Sequence, residues 1–358
     1  DNLTVGDLFK TWVRDGVARQ DSNAELTRGF NKDVLPTIGK KKIRDLSEKD
    51  LLSVLRAVRA RGLNRTVVIL NNDIGQMLRW AEKRKPWRGL MVDGNPADLV
   101  DVDTLLDPDY QEERDRILSA DEIRELRDKF AALEADYENL PAGEKYSGIR
   151  PVSTRVQCAA WISLSTLCRI GELLKAEWRH VDLDSGTWYV PAENTKGRRG
   201  KRQDHHVFLS PFAISQFKRL QTETGETRYC FPSTSKDSHV CVKTVSKQIG
   251  DRQCRFKNRS KPLPGRQHND TLVLAGGANG EWTPHDLRRT GATMMQSLGI
   301  TLDIIDRCQN HVMKGKVRRH YLHHDYAKEK AEAWQLLGGR IEAILNAENV
   351  IQGHFKRA

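Results

Sequence analysis

The strongest constraint on the fold is the run at residues 66–85, where Val67, Ile69, Leu70, Ile74, Met77, Leu78 and Trp80 recur at three- and four-residue spacing. That period belongs to an α-helix, and so broad an apolar stripe predicts a helix packed on several sides. Residues 3–13, 23–31 and 48–61 carry the same period. Ser47 stands ahead of Glu48 as an N-cap, where its hydroxyl can accept from free N–H groups. Leu35-Pro36-Thr37-Ile38-Gly39 reads as an interruption. Lys85-Pro86 reads as the end of the long helix, because proline lacks the N–H a helix needs and its ring strikes the preceding turn. Residues 1–105 are predicted to form one all-helical domain.

From residue 101 to 116 the chain is acidic and aperiodic, so an exposed linker is expected, bounded at 106–118. Ser119 followed by Ala120-Asp121-Glu122 marks the next helix start, with acids where the helix dipole favours them. Helical spacing returns at 121–133 and 156–167. Short strands are expected at 181–183, 187–191 and 205–209, the last two forming a hairpin with residues 196–202 at its tip. Residues 212–220 are helical, 261–281 form a polar insertion with no assigned place, and 331–345 form a helix with Trp334, Leu337, Ile341, Ile344 and Leu345 on one side. That side is expected to pack on its own domain. The fold class is mainly α with a small antiparallel β-sheet, in two domains at 1–105 and 119–345, with a tail at 346–358.

Composition narrows function. A chain that is 38% hydrophobic and 30% charged is too apolar for disorder, and no apolar run approaches the roughly 18 residues of a spanning helix. The six cysteines form no CxxC pair, which predicts reduced thiols in a cytosol. The first residues carry no secretory signal; with no initiator Met, a preceding segment is expected in the full protein. The 59 Lys and Arg outnumber 48 Asp and Glu, and the surplus is unevenly placed. KGRRGKR at 196–202 has five basic residues in seven; residues 243–266 and 314–324 are also basic, whereas 101–144 is acidic. Segregation of this kind favours a basic face for a polyanion over an evenly solvated surface.

Three stretches carry chemistry. In WTPHDLRRTGATMMQSL (282–298), Thr283 and Pro284 open a helix whose buried stripe is Leu287, Met294, Met295 and Leu298. His285 and Arg288 share a face, Arg288 beside the stripe and Arg289 away from it, which makes either a phosphate site or a basic surface helix. In LSTLCRIGELLKAEW (164–178), a half-buried Arg169 needs a partner, either Glu172 or a ligand oxyanion. In NHVMKGKVRRHYLHHDY (310–326), tyrosines sit among basic residues and histidines. Cys308, His311, His320, His323 and His324 are metal-ligand types, but their spacing is not that of a structural zinc site, so no metal is expected.

Taken in order, TLCRIGELLKAEWRHVDL, PAENTKGRR…HHVFLS, TPHDLRRTGATMMQSLGI and NHVMKGKVRRHYLHHDY resemble a tyrosine recombinase of the phage integrase family, nearest to integrases of prophages and genomic islands. The stretch RWAEKRKPW…NPADLV is similar to the end of that family's core-DNA-binding domain. The resemblance implies that Arg169 and Arg288 clamp the scissile phosphate and that His285 bonds it and helps proton transfer. It makes Lys196 the acid on the leaving 5′ oxygen, His311 the His-or-Trp position, Tyr321 the nucleophile and Glu172 the brace of Arg169. Tyr326 competes with Tyr321 and Lys201 with Lys196. Arg198, Arg199, Lys201 and Arg202 are expected on DNA, and His206 is either structural or DNA-facing.

The implied activity is site-specific strand exchange through a 3′-phosphotyrosyl link, with no cofactor, metal or ATP. Implied partners are double-stranded DNA attachment sites, three further copies of the chain, and an accessory DNA-bending or directionality protein, in the bacterial cytosol and away from membranes. The alternatives are a type IB topoisomerase-like relaxing enzyme and an inactive DNA-binding or architectural protein.

Overall fold

The computed structural model describes residues 2–347 apart from residues 20, 112, 113, 142, 198–201, 236, 258, 260 and 312–324. Contacts divide the chain into two units, Asp1–Arg114 and Asp115–Ala358. None of the described helices is long and apolar enough to cross a membrane.

In the first unit, helix α1 (Val5–Asp15) begins with a reciprocal cap in which Asp7 N–H donates to Thr4 Oγ1 and Thr4 N–H donates to the Asp7 carboxylate. Helix α2 (Ala24–Gly29) runs through a π turn (Phe30–Val34) into α3 (Leu35–Ile38), so the segment predicted to interrupt the helix is itself helical. Pro36 lies in the first turn of α3, where its missing N–H leaves no bond unmade, and the π turn widens the chain where its ring would clash.

Helix α4 (Glu48–Arg59) starts at the predicted Ser47, whose N–H and hydroxyl both donate to Asp50 at 2.8 and 2.6 Å. Helix α5 (Asn64–Ala81) stops before Lys85-Pro86 and presents a narrower stripe than expected. Val67, Leu70, Ile74, Met77 and Leu78 are buried, but Ile69 is 46% exposed and Trp80 half-buried. The buried face instead includes Asp73, paired with Arg19 at 2.6 Å. Around this helix Leu8, Trp12, Phe30, Leu51 and Leu55 close one core.

The expected linker is anchored at both ends. Val100, Val102, Leu105 and Leu106 pack against the first core, and Asp107 accepts from Asn64 Nδ2 at 2.6 Å and from Arg59. The apolar residues alternate with acids that take the solvent side, which is why composition suggested exposure. In the second unit Arg116 pairs with Glu122, and buried Leu118 donates its N–H to Thr290 Oγ1 at 2.8 Å.

The second unit is built around α7 (Thr154–Thr166), which is buried over most of its length. Helix α6 (Ala120–Glu138) precedes it and the short α8 (Ile170–Leu173) follows. Strands β1 (Val181–Asp182), β2 (Thr187–Val190) and β3 (His205–Phe208) form an antiparallel sheet in the order β1-β2-β3, with Val190 opposite His205. Then come α9 (Pro211–Thr224), α10 (Thr244–Gly250), α11 (Pro284–Ser297), α12 (Leu302–Cys308) and α13 (Ala327–Asn346).

Helices α9 and α11 pack on α7, while α13 touches α6, α7, α9, α11, α12 and β3. As expected, α13 buries Trp334, Leu337, Ile341 and Ile344 within its own unit, and Trp334 Nε1 donates to Thr166 O at 3.0 Å. The polar insertion is seated by Leu272 and Leu274 in the core and by Trp282 Nε1 donating to Leu272 O. The architecture is mainly helical with one small antiparallel sheet.

Candidate active site

Helix α11 is positioned by its cap and by one glycine. Thr283 N–H and Oγ1 both donate to Asp286 Oδ2, at 2.8 and 2.9 Å, with Pro284 in the first turn. A Cβ at Gly291 would lie 2.4 Å from Leu164 O, so only glycine lets α11 approach α7 this closely. Of the predicted stripe, Leu287 and Met295 are buried and Leu298 is exposed at the helix end. Arg289 turns outward, bonding Asp286 at 2.6 Å and the Arg116 carbonyl at 3.1 Å.

Arg288 turns inward and is only 3% exposed. Its Nη1 donates to the carbonyl of Leu167, a residue with φ of 58° that ends α7. Its Nη2 donates to Gln309 O at 2.6 Å and to His311 Nε2 at 3.1 Å. A guanidinium has five N–H groups, so two remain uncommitted among the described residues. Burial first, then Arg169, lowers its pKa to about 10, which leaves the group cationic at neutral pH.

The other groups gather round it. Arg169 caps α8, with Nη1 donating to Glu172 Oε1 at 2.8 Å and its N–H to Oε2 at 3.1 Å, so the ion pair and the anion site use the same arginine. His285, half-buried one turn before Arg288, has its imidazole pushed below the usual range by burial and then by Arg288, Arg289 and, more weakly, Arg169. His311 Nε2 accepts from a guanidinium that can only donate, so its proton sits on Nδ1, which faces Asp306 Oδ1 at 2.8 Å. His285, Arg288, Ala292, Asp306, Gln309 and His311 line a cleft of about 320 Å³. Glu172 and Asp306 are each committed to a basic partner, and the arrangement suits a ligand that brings its own negative oxygens.

Other predicted residues stand apart. Lys196 is exposed on the loop after β2. Arg202 bends back on that loop, bonding Gly197 O and Glu193 O at 3.1 Å each, so it is tied to its own chain. Tyr321, Arg198, Arg199, Lys201, His320, His323 and His324 lie outside the described residues. Tyr326 is described, with its ring 3.7 Å under the Arg307 guanidinium. Cys308 is buried and its thiol pushed up to about 12 by burial, which makes it a poor metal ligand.

Several participants carried no usable signal in sequence. The Leu167 and Gln309 carbonyls are main-chain atoms that every residue has. Gly291 was visible as a glycine inside a helix. Of the two neighbouring histidines, His206 is exposed beside Tyr189, while His205 is buried with Nε2 3.1 Å from Cys308 O.

Comparison with known proteins covers both units. The profile of the Phage integrase family matches residues 133–328, and that of the Phage integrase central domain matches residues 7–100. The chain is 22% identical over 345 residues to prophage integrase IntA of Escherichia coli K12, spanning 96% of this chain and 71% of that protein. It is 24% identical over 344 residues to the integrase of Shigella phage Sf6, spanning 94% and 74%. Its fold is similar to that of the Tn1549 transposon integrase solved with transposon right end DNA (TM-score 0.57, 16% identity, 92% of this chain and 98% of that one). It is also similar to that of a lambda integrase tetramer bound to a Holliday junction (TM-score 0.57, 14% identity, 91% and 80%).

Proposed function

This chain belongs to the phage integrase family, site-specific recombinases that cleave and rejoin DNA, and we propose that its own cleavage chemistry runs through Tyr321 at the cleft on α11 and α12. Arg169 and Arg288 bind the non-bridging oxygens of the scissile phosphate, where charge grows as the phosphorus becomes five-coordinate. The Tyr321 oxygen bonds to phosphorus as the bond to the 5′ oxygen breaks. The phenol proton passes to His285, which burial and its arginine neighbours keep neutral and able to accept. Lys196 supplies a proton to the leaving 5′ oxygen. The resulting 3′-phosphotyrosyl ester conserves the bond, so attack by a 5′ hydroxyl of a partner strand rejoins DNA without ATP. His311 and Asp306 act by holding Arg288 in place.

The observation that carries this reading is the inward Arg288, buried and held by two main-chain carbonyls and an imidazole beside Arg169. Such a cation is costly to bury and is worth most against a developing oxyanion. Partners follow: duplex attachment sites, and four copies of the chain on two duplexes, a reading supported by the similarity in fold to a lambda integrase tetramer bound to a Holliday junction. The choice of Tyr321 is supported by Tyr326 lying with its ring against Arg307 at the start of α13.

A library of nicked duplexes, which traps the covalent intermediate when the cleaved fragment diffuses away, provides the test on denaturing gels. Wild type gives a protein–DNA adduct that mass spectrometry maps to Tyr321; Tyr321→Phe abolishes it with DNA affinity within about twofold, and Tyr326→Phe retains it. An adduct on Tyr326 overturns the nucleophile, and no adduct at all overturns the enzyme.

A further inference from the structure

We propose that His205 is a positioning residue for strand cleavage: by donating to the Cys308 carbonyl it fixes the end of α12, and with it the two groups that aim Arg288.

The accounting at that helix end is complete. The last four carbonyls of an α-helix have no partner inside it. After α12 the chain turns through Asn310, with φ of 51°, and His311 N–H donates to Asp306 O at 2.9 Å while Asn310 N–H donates to Arg307 O at 3.1 Å. This is the pair of bonds by which a left-handed residue closes a helix. It satisfies two carbonyls and leaves those of Cys308 and Gln309. His205 Nε2 takes the first at 3.1 Å and Arg288 Nη2 takes the second at 2.6 Å. The two peptide planes are consecutive, so the orientation of the Cys308 carbonyl constrains the Gln309 carbonyl and the start of His311.

His205 is built for this contact. Its place opposite Val190 puts it on the inward phase of β3 with Val207, while His206 faces out. It is 7% exposed, with its ring 6.1 Å from that of Trp334. A carbonyl only accepts, so Nε2 carries a proton, and burial of the imidazole disfavours its charged form, which leaves the ring as neutral Nε2–H. A polar side chain this buried is retained where its hydrogen bond is needed. The same strand closes the hairpin that bears Lys196, so one bond ties the Lys196 segment to the turn that presents His311.

The inference rests on the proposed cleavage reading, and the test separates them. In single-turnover adduct formation on nicked duplexes, His205→Leu is expected to be slower by about tenfold to a hundredfold, the scale of a misplaced catalytic group, with DNA affinity within about twofold. His205→Gln places an amide N–H where Nε2–H stood and is expected within about threefold of wild type. His205→Asn is too short to reach and is expected to behave like His205→Leu, so the Gln and Asn pair decides the matter should His205→Leu not fold. Phe217→Leu, in the core between α9 and the sheet, measures what loss of stability alone does to the rate. Wild-type rates in His205→Leu or His205→Asn overturn the inference. So does equal slowing of all three His205 variants in proportion to their loss in Tm along the Phe217→Leu trend. Absence of an adduct in wild type overturns the cleavage reading instead.

Discussion

The two units are both mostly helical, but they bury different chemistry. In the first, the buried polar side chains among the described residues are Asn23, Asp73 and Asn95, around a core that is otherwise apolar. In the second they include Glu122, Glu172, Glu177, His205, Asp251, Arg252, Asp286 and Arg288. Burying charge costs free energy unless it is paired and hydrogen-bonded, and the first unit buries one such side chain among its described residues, Asp73 paired with Arg19. The second unit accepts that cost and offsets it with partners: Glu172 on Arg169, Asp286 on Thr283 and Arg289, Arg288 on two carbonyls and His311. Part of that polar burial, Glu172, Asp286 and Arg288, positions the candidate cleft, while the rest, such as Glu177 on Arg228 and Asp251 on Arg266, serves ion pairs elsewhere in the unit.

The largest expected effect sharpens that contrast within one helix. Arg288→Ala should slow single-turnover adduct formation by about a thousandfold, the scale of losing an oxyanion donor, while Arg289→Ala should cost less than about tenfold. Equal losses would erase the distinction between inward and outward arginine.

A pH series comes next. Burial, then Lys330, pushes the His205 imidazole down to about 3, with Arg288 and His206 adding repulsion and the Cys308 carbonyl alone opposing it. The folded state therefore binds this proton more weakly than the unfolded chain, whose histidine titrates near 6.5. Stability of the second unit should be full above pH 6.5 and fall as pH drops from there toward 3. All eleven histidines lie beyond residue 114, so the first unit should hold its stability between pH 6.5 and about 4.5, where most carboxylates stay charged. Urea unfolding followed separately for each unit would measure this, and parallel loss in both would break the comparison.

The smallest effect concerns caps. Ser47→Ala in the first unit and Thr283→Ala in the second should each cost about 1 kcal/mol in chemical denaturation. Only Thr283→Ala should also slow the adduct, because α11 carries His285 and Arg288.

Much of this was legible from residues alone. The caps at Ser47, Ser119 and Thr283, the two-strand hairpin and the inward choice of Arg288 over Arg289 all follow from local rules of helix and strand. The misreadings have local causes too. Pro36 reads as an interruption because a π turn ahead of it is invisible to periodicity, and residues 101–116 read as linker because their acids outnumber the valine and leucines that anchor the start of the segment.

What the sequence by itself determined is most of the longer helices, the charge segregation and the order of Arg169, His285, Arg288 and His311 along the chain, because these depend on neighbours within one or two turns. The short α3, α10 and α12 were not legible in it. Tertiary structure alone decided who holds Arg288, since the carbonyls of Leu167 and Gln309 belong to distant segments and carry no side-chain identity. It also decided that His205 rather than His206 is buried, because the phase of β3 is set by the core it packs against and by its pairing with β2.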